Sequence, residues 1–209
     1  GLDSFTTIIL PRGGYINDAI VYNDTAYFGG NSIAAGSHLA KFEGSSVTPI
    51  VVAGMSNIKD LELHNDTLFA IDNKTIYQYG TVTGITSTYY DFVSPSGLEA
   101  VSFYNGALYT ASSNVTLPVY ELSNGVITDK LFTPAITQNP TQTRQSFTKH
   151  RGKLYQTYRF RTPDNVLRNY GISVLENKEF VSIVPPNHVD QTDSFTDFSG
   201  MLYSNQSQL

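Results

Sequence analysis

Polar side chains stand at the start of five strand-like segments, each of which runs into a tight turn. They are Asp18, Asp60, Glu99, Gln145 and Asp193. Carboxylates that converge on one point raise each other's pKa values, bind a cation or meet a polyhydroxylated ligand. An Asp at the start of a strand also caps a loop and faces solvent, and this alternative stays open.

The segments that must position these residues belong to a repeat that occurs five times. Each copy has an alternating strand, a turn dipeptide and a second strand with an aromatic residue. The turn dipeptides are Asn23-Asp24, Asn65-Asp66, Asn105-Gly106, Arg151-Gly152 and Ser199-Gly200. Asn, Asp and Gly tolerate the positive φ that two-residue hairpin turns require. A ring residue precedes every turn, and we expect it to pack: Tyr22, His64, Tyr104, His150 and Phe198.

The turns lie 42, 40, 46 and 48 residues apart, which is the length of one four-stranded propeller blade. A second hairpin follows the first in each repeat, with predicted turns at Glu43-Gly44, Asn124-Gly125 and Asn177-Lys178. The sequence therefore predicts an all-β protein, a five-bladed β-propeller of four-stranded antiparallel blades in a single domain, 1–209. The blades cover about 15–53, 57–93, 97–133 and 144–185, and the last combines 193–209 with 4–10. We expect the N-terminal strand to close the ring there, because an open ring leaves sheet edges unpaired.

The motifs of these turns resemble a known superfamily. The run Asn105-Gly106-Ala107-Leu108-Tyr109 and the run Tyr27-Phe28-Gly29-Gly30 resemble Kelch-like repeats of β-propellers. This resemblance implies architecture alone, since propellers host enzymes, lectins and scaffolds. It implies that the first strand of each blade lines a central channel, so the candidate channel residues are Asp18, Asp60, Glu99, Gln145 and Asp193.

A second resemblance concerns the acidic residues. Asp18, Asp60 and Glu99 are similar to the acidic triad of five-bladed glycosidases. That resemblance implies a base Asp on the first inner strand and an acid Glu on a later one. An inverting pair would need carboxyl groups roughly 6.5–9.5 Å apart.

Composition excludes several classes of function. The net charge of −5 argues against a nucleic-acid partner, and no apolar run reaches the length of a membrane span. Without Cys there are no disulfides, thiolate metal sites or Cys nucleophiles. The four His do not pair at metal-ligand spacing, so we expect no metal and no cofactor, with a channel-bound cation such as calcium as the alternative.

Five N-x-Ser/Thr sequons predict a glycosylated surface, at Asn23, Asn65, Asn73, Asn114 and Asn205. Such triplets also arise by chance in a chain rich in Asn and Thr. The Ser, Thr and Tyr content resembles that of surface proteins of archaea or their viruses. These features favour an extracellular, cell-surface or virion-surface location.

Basic residues concentrate in the fourth repeat: Arg144, Lys149, Arg151, Lys153, Arg159, Arg161 and Arg168. Only Asp164 opposes them in that stretch. This local excess of positive charge predicts a docking edge for an acidic protein subunit or an anionic glycan, with Arg151, Arg159 and Arg161 as contact residues. A solvated face is the alternative.

Three functions remain open on this sequence. The first is a structural or attachment module that contacts other subunits, a receptor or a glycan. The second is a lectin-like propeller, and the third is a glycoside hydrolase that uses Asp18, Asp60 and Glu99. The first is favoured over an enzyme, because no Gly-x-Ser-x-Gly elbow and no phosphate-binding glycine loop is present.

Overall fold

The computed structural model describes the backbone of residues 14–93, 97–113, 117–132, 142–161, 167–188, 192–198 and 201–206. It describes the side chains of 14–93, 97–113, 117–132, 145–157 and 172–183. Every regular element in these ranges is a β-strand, which confirms the predicted all-β class, and none is a helix that could cross a membrane. The segment 4–10, the dipeptide Ser199-Gly200 and Asn114 lie outside the described residues.

The strands form five antiparallel sheets, in each of which spatial order follows chain order. Sheet I holds β1 (Tyr15–Tyr22), β2 (Thr25–Ala34), β3 (Ser37–Glu43) and β4 (Ser46–Ile50). Sheet II holds β5 (Asp60–His64), β6 (Thr67–Ile71), β7 (Thr75–Gly80) and β8 (Thr86–Asp91). Sheet III holds β9 (Leu98–Tyr104), β10 (Ala107–Ser112), β11 (Val119–Ser123) and β12 (Val126–Leu131).

Sheet IV holds β13 (Gln142–His150), β14 (Lys153–Arg161), β15 (Leu167–Glu176) and β16 (Glu179–His188). Sheet V holds β17 (Thr192–Phe198) and β18 (Met201–Gln206). Four sheets thus have four described strands, and the fifth has two.

Turn chemistry explains the hairpins. The residues that open the four described first turns, Asn23, Asn65, Asn105 and Arg151, have φ of 46°, 44°, 47° and 46°. These turns are confirmed, as are the second-hairpin turns at Asn124-Gly125 and Asn177-Lys178. In sheet I the second turn lies one residue later than predicted, at Gly44-Ser45, because Glu43 still pairs with Ser46.

The chain divides into two compact units, Gly1–Pro95 and Ser96–Leu209. In the first unit β1 packs on β5, around a core that includes Leu39, Ile58 and Leu68. In the second unit β9 packs on β13 and β13 on β17, and the core includes Leu154 and Phe180. Within each unit the first strand of a sheet therefore contacts the first strand of the next sheet.

The paired glycines in the middle of β2 are explained by close packing. A Cβ on Gly29 would lie 2.5 Å from Cγ2 of Ile58, and a Cβ on Gly30 would collide with the backbone carbonyl of Tyr15. Ile58 is fully buried, and its N–H donates to the carbonyl of Gly30 at 3.0 Å. Glycine at position 29 therefore lets the connector between sheets I and II pack against β2, and glycine at position 30 leaves room for the backbone of β1.

Candidate functional site

The pairing register divides the candidate channel residues into two groups. The fifth strand pair counted from the turn contains Asp18, Asp60, Ala100 and Ser146 in sheets I to IV. Glu99 falls one residue earlier, within a register shift of β9, and Gln145 also stands one residue earlier. Side chains alternate between the two faces of a strand, so a one-residue offset means that Gln145 is not equivalent to Asp18 and Asp60 in the pairing register. For Asp193 the structure describes the backbone, in β17.

The carboxylate of Asp18 joins two neighbouring sheets. Its Oδ2 accepts a hydrogen bond from the backbone N–H of Leu61 at 2.9 Å. Beside it, Asn17 donates to the side chain of Asn57 at 2.9 Å and to the carbonyl of Ile58 at 2.6 Å. The start of β1 is therefore bonded to the start of sheet II.

Gln145 has a similar bridging role in the second unit. It is buried, its Nε2 donates to the carbonyl of Ser112, and its Oε1 accepts from Gln156. Asp60 and Glu99 are half-buried and also have interaction partners. The described residues contain no group of three or more His, Asp or Glu that could hold a metal ion.

Asp72 is a polar centre that the sequence analysis did not single out. Its Oδ1 accepts from the N–H groups of Lys74 and Thr75 at 3.0 and 2.9 Å. Its Oδ2 accepts from the N–H and hydroxyl of Ser56 at 3.2 and 2.9 Å and from the Tyr77 hydroxyl at 3.1 Å. Asp72 thus fixes the connector before sheet II to the β6–β7 turn.

Burial opposes ionisation of Asp72, but the donated hydrogen bonds outweigh it and hold the pKa of this carboxyl below its usual value. Burial, together with the charge of Asp72, raises the pKa of Tyr77 to about 12. The carboxylate has five donors within hydrogen-bond distance, so its role is to hold this turn.

A second buried carboxylate, Glu121, joins sheets III and IV. It accepts from the Tyr109 hydroxyl at 3.0 Å, from Nζ of Lys178 at 2.7 Å and from Oγ1 of Thr128 at 3.2 Å. Nζ of Lys178 also lies 3.7 Å from the carboxylate of Asp129. Burial and the bond to Glu121 raise the pKa of Tyr109, and the same carboxylate raises the pKa of Lys178.

Before two of the four described first turns, the ring residue is a Tyr with a function beyond packing. The hydroxyl of Tyr22 donates to the carboxylate of Asp66, in the turn of sheet II. The hydroxyl of Tyr104 donates to the carbonyl of Gly152 at 2.7 Å, in the turn of sheet IV. In both units a Tyr of one sheet therefore bonds the second turn residue of the next sheet. The sequence signal was a Tyr directly before a turn at equivalent repeat positions.

Three of the predicted sequon asparagines, Asn23, Asn65 and Asn73, are exposed. Asn65 donates to Nε2 of His64 when that ring nitrogen is unprotonated, over 2.8 Å. For Asn205 the structure describes the backbone, in β18. Glycosylation of these residues stays a prediction.

The predicted contact arginines lie on one hairpin of sheet IV. Arg151 opens its turn and is exposed. Arg159 and Arg161 lie in β14, where the backbone pairs Arg159 with Arg144 and Arg161 with Gln142. Next to the turn, Nζ of Lys153 lies 2.8 Å from the carboxylate of Glu176.

No protein-family model and no curated protein matches this chain. Among solved structures it is similar to the computationally designed Ika8 protein, with a TM-score of 0.60 and 11% identity over 90% of this chain and 54% of that one. It is similar to the extracellular domain of the hybrid two component system BT4673 from B. thetaiotaomicron, with a TM-score of 0.56 and 11% identity over 94% of this chain and 31% of that one.

The computationally designed Ika4 protein is also similar, with a TM-score of 0.50 and 11% identity over 77% of this chain and 90% of that one. The chain spans about half the length of the Ika8 protein and less of the BT4673 domain. At this level of identity the likeness concerns the fold alone.

Proposed function

We propose that this chain is a structural or attachment module, displayed outside a cell or on a virion, that acts through protein or glycan contacts. The observation that supports this function over catalysis is that candidate channel residues form hydrogen bonds to neighbouring strands and sheets. Asp18 accepts a backbone N–H of the next sheet, and Gln145 bonds a backbone carbonyl and Gln156. Groups bonded in this way hold neighbouring sheets together.

The finer architecture in this proposal is a closed five-bladed propeller, in which segment 4–10 completes sheet V. Connector lengths support it. Residues 51–59, 92–97, 132–141 and 189–191 link the last strand of one sheet to the first strand of the next. Residues 11–14 would link segment 4–10 to β1, and their number falls within the same range.

Ring closure can be tested by cross-linking, because the chain has no Cys and an introduced pair is unique. Thr7→Cys is combined with Ser204→Cys or with Gln206→Cys in β18, and disulfide formation is followed on a gel. The matched control combines Thr7→Cys with Thr128→Cys in β12. If the ring is closed, at least one of the two β18 cysteine pairs should form a disulfide efficiently. A disulfide in the control pair alone would contradict ring closure.

The competing hydrolase function is tested with Asp18→Asn and Glu99→Gln on a panel of aryl glycosides. The amide introduced by Asp18→Asn keeps an oxygen that can accept the N–H of Leu61, so we expect this variant to fold. The proposal predicts no hydrolysis by the unmodified chain. Turnover that both substitutions abolish, with unchanged thermal unfolding, would establish a hydrolase instead.

The exterior location is tested by mass spectrometry on native material. We expect glycan on at least one of the exposed asparagines Asn23, Asn65 and Asn73. Peptides that cover all three without modification would argue against a glycosylated surface.

A further inference from the structure

Two buried oxygen atoms of sheet IV have no hydrogen-bond partner among the described residues. They are Oε1 of Gln156, in β14, and Oγ of Ser173, in β15. Both side chains are fully buried, so bulk water does not reach them. A buried polar group without a hydrogen bond is costly and rare in native proteins, and each such group calls for a physical explanation.

A chain of side-chain amides fixes the direction in which Gln156 points its oxygen. The chain begins at the backbone carbonyl of Ser112 in sheet III, which can only accept, so Gln145 presents its Nε2 there. Oε1 of Gln145 then accepts from Nε2 of Gln156. With its nitrogen engaged in this way, Gln156 ends the chain with an acceptor, Oε1, and that oxygen needs a donor.

Ser173 lies directly beside this acceptor. Gln156 and Ser173 are paired across β14 and β15, so their side chains point to the same face of sheet IV. The Cβ atoms of residues paired in this way are about 4.5–5.5 Å apart. The two oxygens nevertheless do not bond each other. A bridge between them must be short, and it must donate to Oε1 of Gln156.

The equivalent pair in sheet II shows how the same place is filled elsewhere in the repeat. Counted from the first turn, Gln156 corresponds to Ala70, and Ala70 pairs with Tyr77 as Gln156 pairs with Ser173. The Tyr77 ring is buried, and its hydroxyl donates to Asp72 at 3.1 Å. The pair in sheet IV has fewer side-chain atoms and more polar ones. The exchange replaces an aromatic ring with room for a small polar molecule.

We propose that sheet IV binds one internal water molecule between Gln156 and Ser173, and that this water stabilises the fold. It donates one hydrogen bond to Oε1 of Gln156 and makes a second with the hydroxyl of Ser173. Internal waters of this kind satisfy buried polar groups that have no protein partner. Both side chains are neutral, so this site would not offset the desolvation of an ion. The water extends the hydrogen-bond chain from Ser112 in sheet III to the third strand of sheet IV.

The sign of one thermal shift tests whether the Ser173 hydroxyl is bonded. If it bonds a water, Ser173→Ala removes a hydrogen bond and should lower Tm by roughly 2–4 °C for a chain of this length. If it has no partner, the same change relieves a desolvation penalty, and Tm should stay or rise. Ser182→Ala is the matched control, because Ser182 pairs with Ser173 from β16 and is exposed. This control should leave Tm unchanged.

The water itself is counted by magnetic relaxation dispersion of the water oxygen, which detects long-lived internal molecules. A buried water needs at least two polar partners. Ser173→Ala leaves it Gln156 of the proposed pair, so this variant should hold one long-lived water fewer than the unmodified chain. Ser182→Ala should hold the same number. A high-resolution crystal structure of the unmodified chain should show the water within hydrogen-bond distance of both oxygens.

Three results would overturn the inference. The first is a Ser173→Ala variant that keeps the full number of long-lived waters. The second is a Tm that Ser173→Ala leaves unchanged or raises. The third is a crystal structure in which the Ser173 hydroxyl donates directly to Gln156. Glycoside hydrolysis or unmodified asparagines would refute the proposed function and leave this water site standing, so the two failures are distinguishable.

Discussion

Replacing Gly29 with Ala should destabilise the packing of sheet I on the following connector. The new Cβ would lie 2.5 Å from Cγ2 of Ile58 and 3.2 Å from Cδ2 of Leu61. Ile58 is fully buried and cannot swing into solvent. Overpacking costs about 1–3 kcal/mol, and Ala in place of Gly recovers roughly 0.5–1 kcal/mol in a strand, so the central values give an expected net loss of about 1 kcal/mol.

Two second-site substitutions test that geometry, with the free energy of unfolding measured in urea. Ile58→Leu removes Cγ2 and should rescue Gly29→Ala by at least about 0.5 kcal/mol relative to additivity. Ile58→Val retains Cγ2, so its effect should simply add to that of Gly29→Ala. Equal rescue by Leu and Val, or a neutral Gly29→Ala, would refute the assignment of the clash to Cγ2.

Three further predictions concern the buried polar groups. The folded-state pKa of Asp72 is lowered, so its carboxylate stabilises the fold fully above the unfolded pKa of about 3.9. This contribution is lost as the pH falls through the lower folded pKa. In urea unfolding at a series of pH values, Asp72→Asn should therefore reduce the loss of stability at acid pH. Tyr109→Phe leaves the buried Glu121 without one donor and should lower the free energy of unfolding by about 1–3 kcal/mol. Tyr104→Phe removes an exposed hydrogen bond and should cost about 0.5–1.5 kcal/mol. The reverse order in urea unfolding would contradict the idea that burial makes the first bond the more costly to lose. Burial and the charge of Asp72 should make Tyr77 titrate near pH 12 by ultraviolet absorbance. A Tyr77→Phe difference spectrum that titrates near pH 10 would contradict both the burial of this hydroxyl and its contact with Asp72.

The sequence predicted the hairpins well because their cause is local. A turn such as Asn65-Asp66 needs two residues that accept positive φ, and both are adjacent in the sequence. The same reasoning placed the second turn of sheet I one residue too early, at Glu43-Gly44, because the strand pairing extends to Glu43 and Ser46. Local chemistry thus fixes the existence of a turn more firmly than its register.

The polar groups between sheets were beyond sequence analysis because their partners are distant in the chain. Nothing near Glu121 indicates that Lys178 will bond it from the next sheet. The register shift in β9 that sets Glu99 apart from Asp60 is likewise invisible in the residue pattern, since it depends on how β9 pairs with β10. A repeat alignment places residues in sequence, and the pairing decides which of them are equivalent.

The tyrosine bonds between successive turns bear on how the chain folds during synthesis. Tyr22 and Asp66 are 44 residues apart, and Tyr104 and Gly152 are 48 apart. The entropy of closing a loop grows only with the logarithm of its length, so these two closures cost nearly the same. Within each unit a newly made sheet finds its partners on the sheet completed just before it. During translation, each new sheet of a unit can therefore pack on a sheet that has already folded.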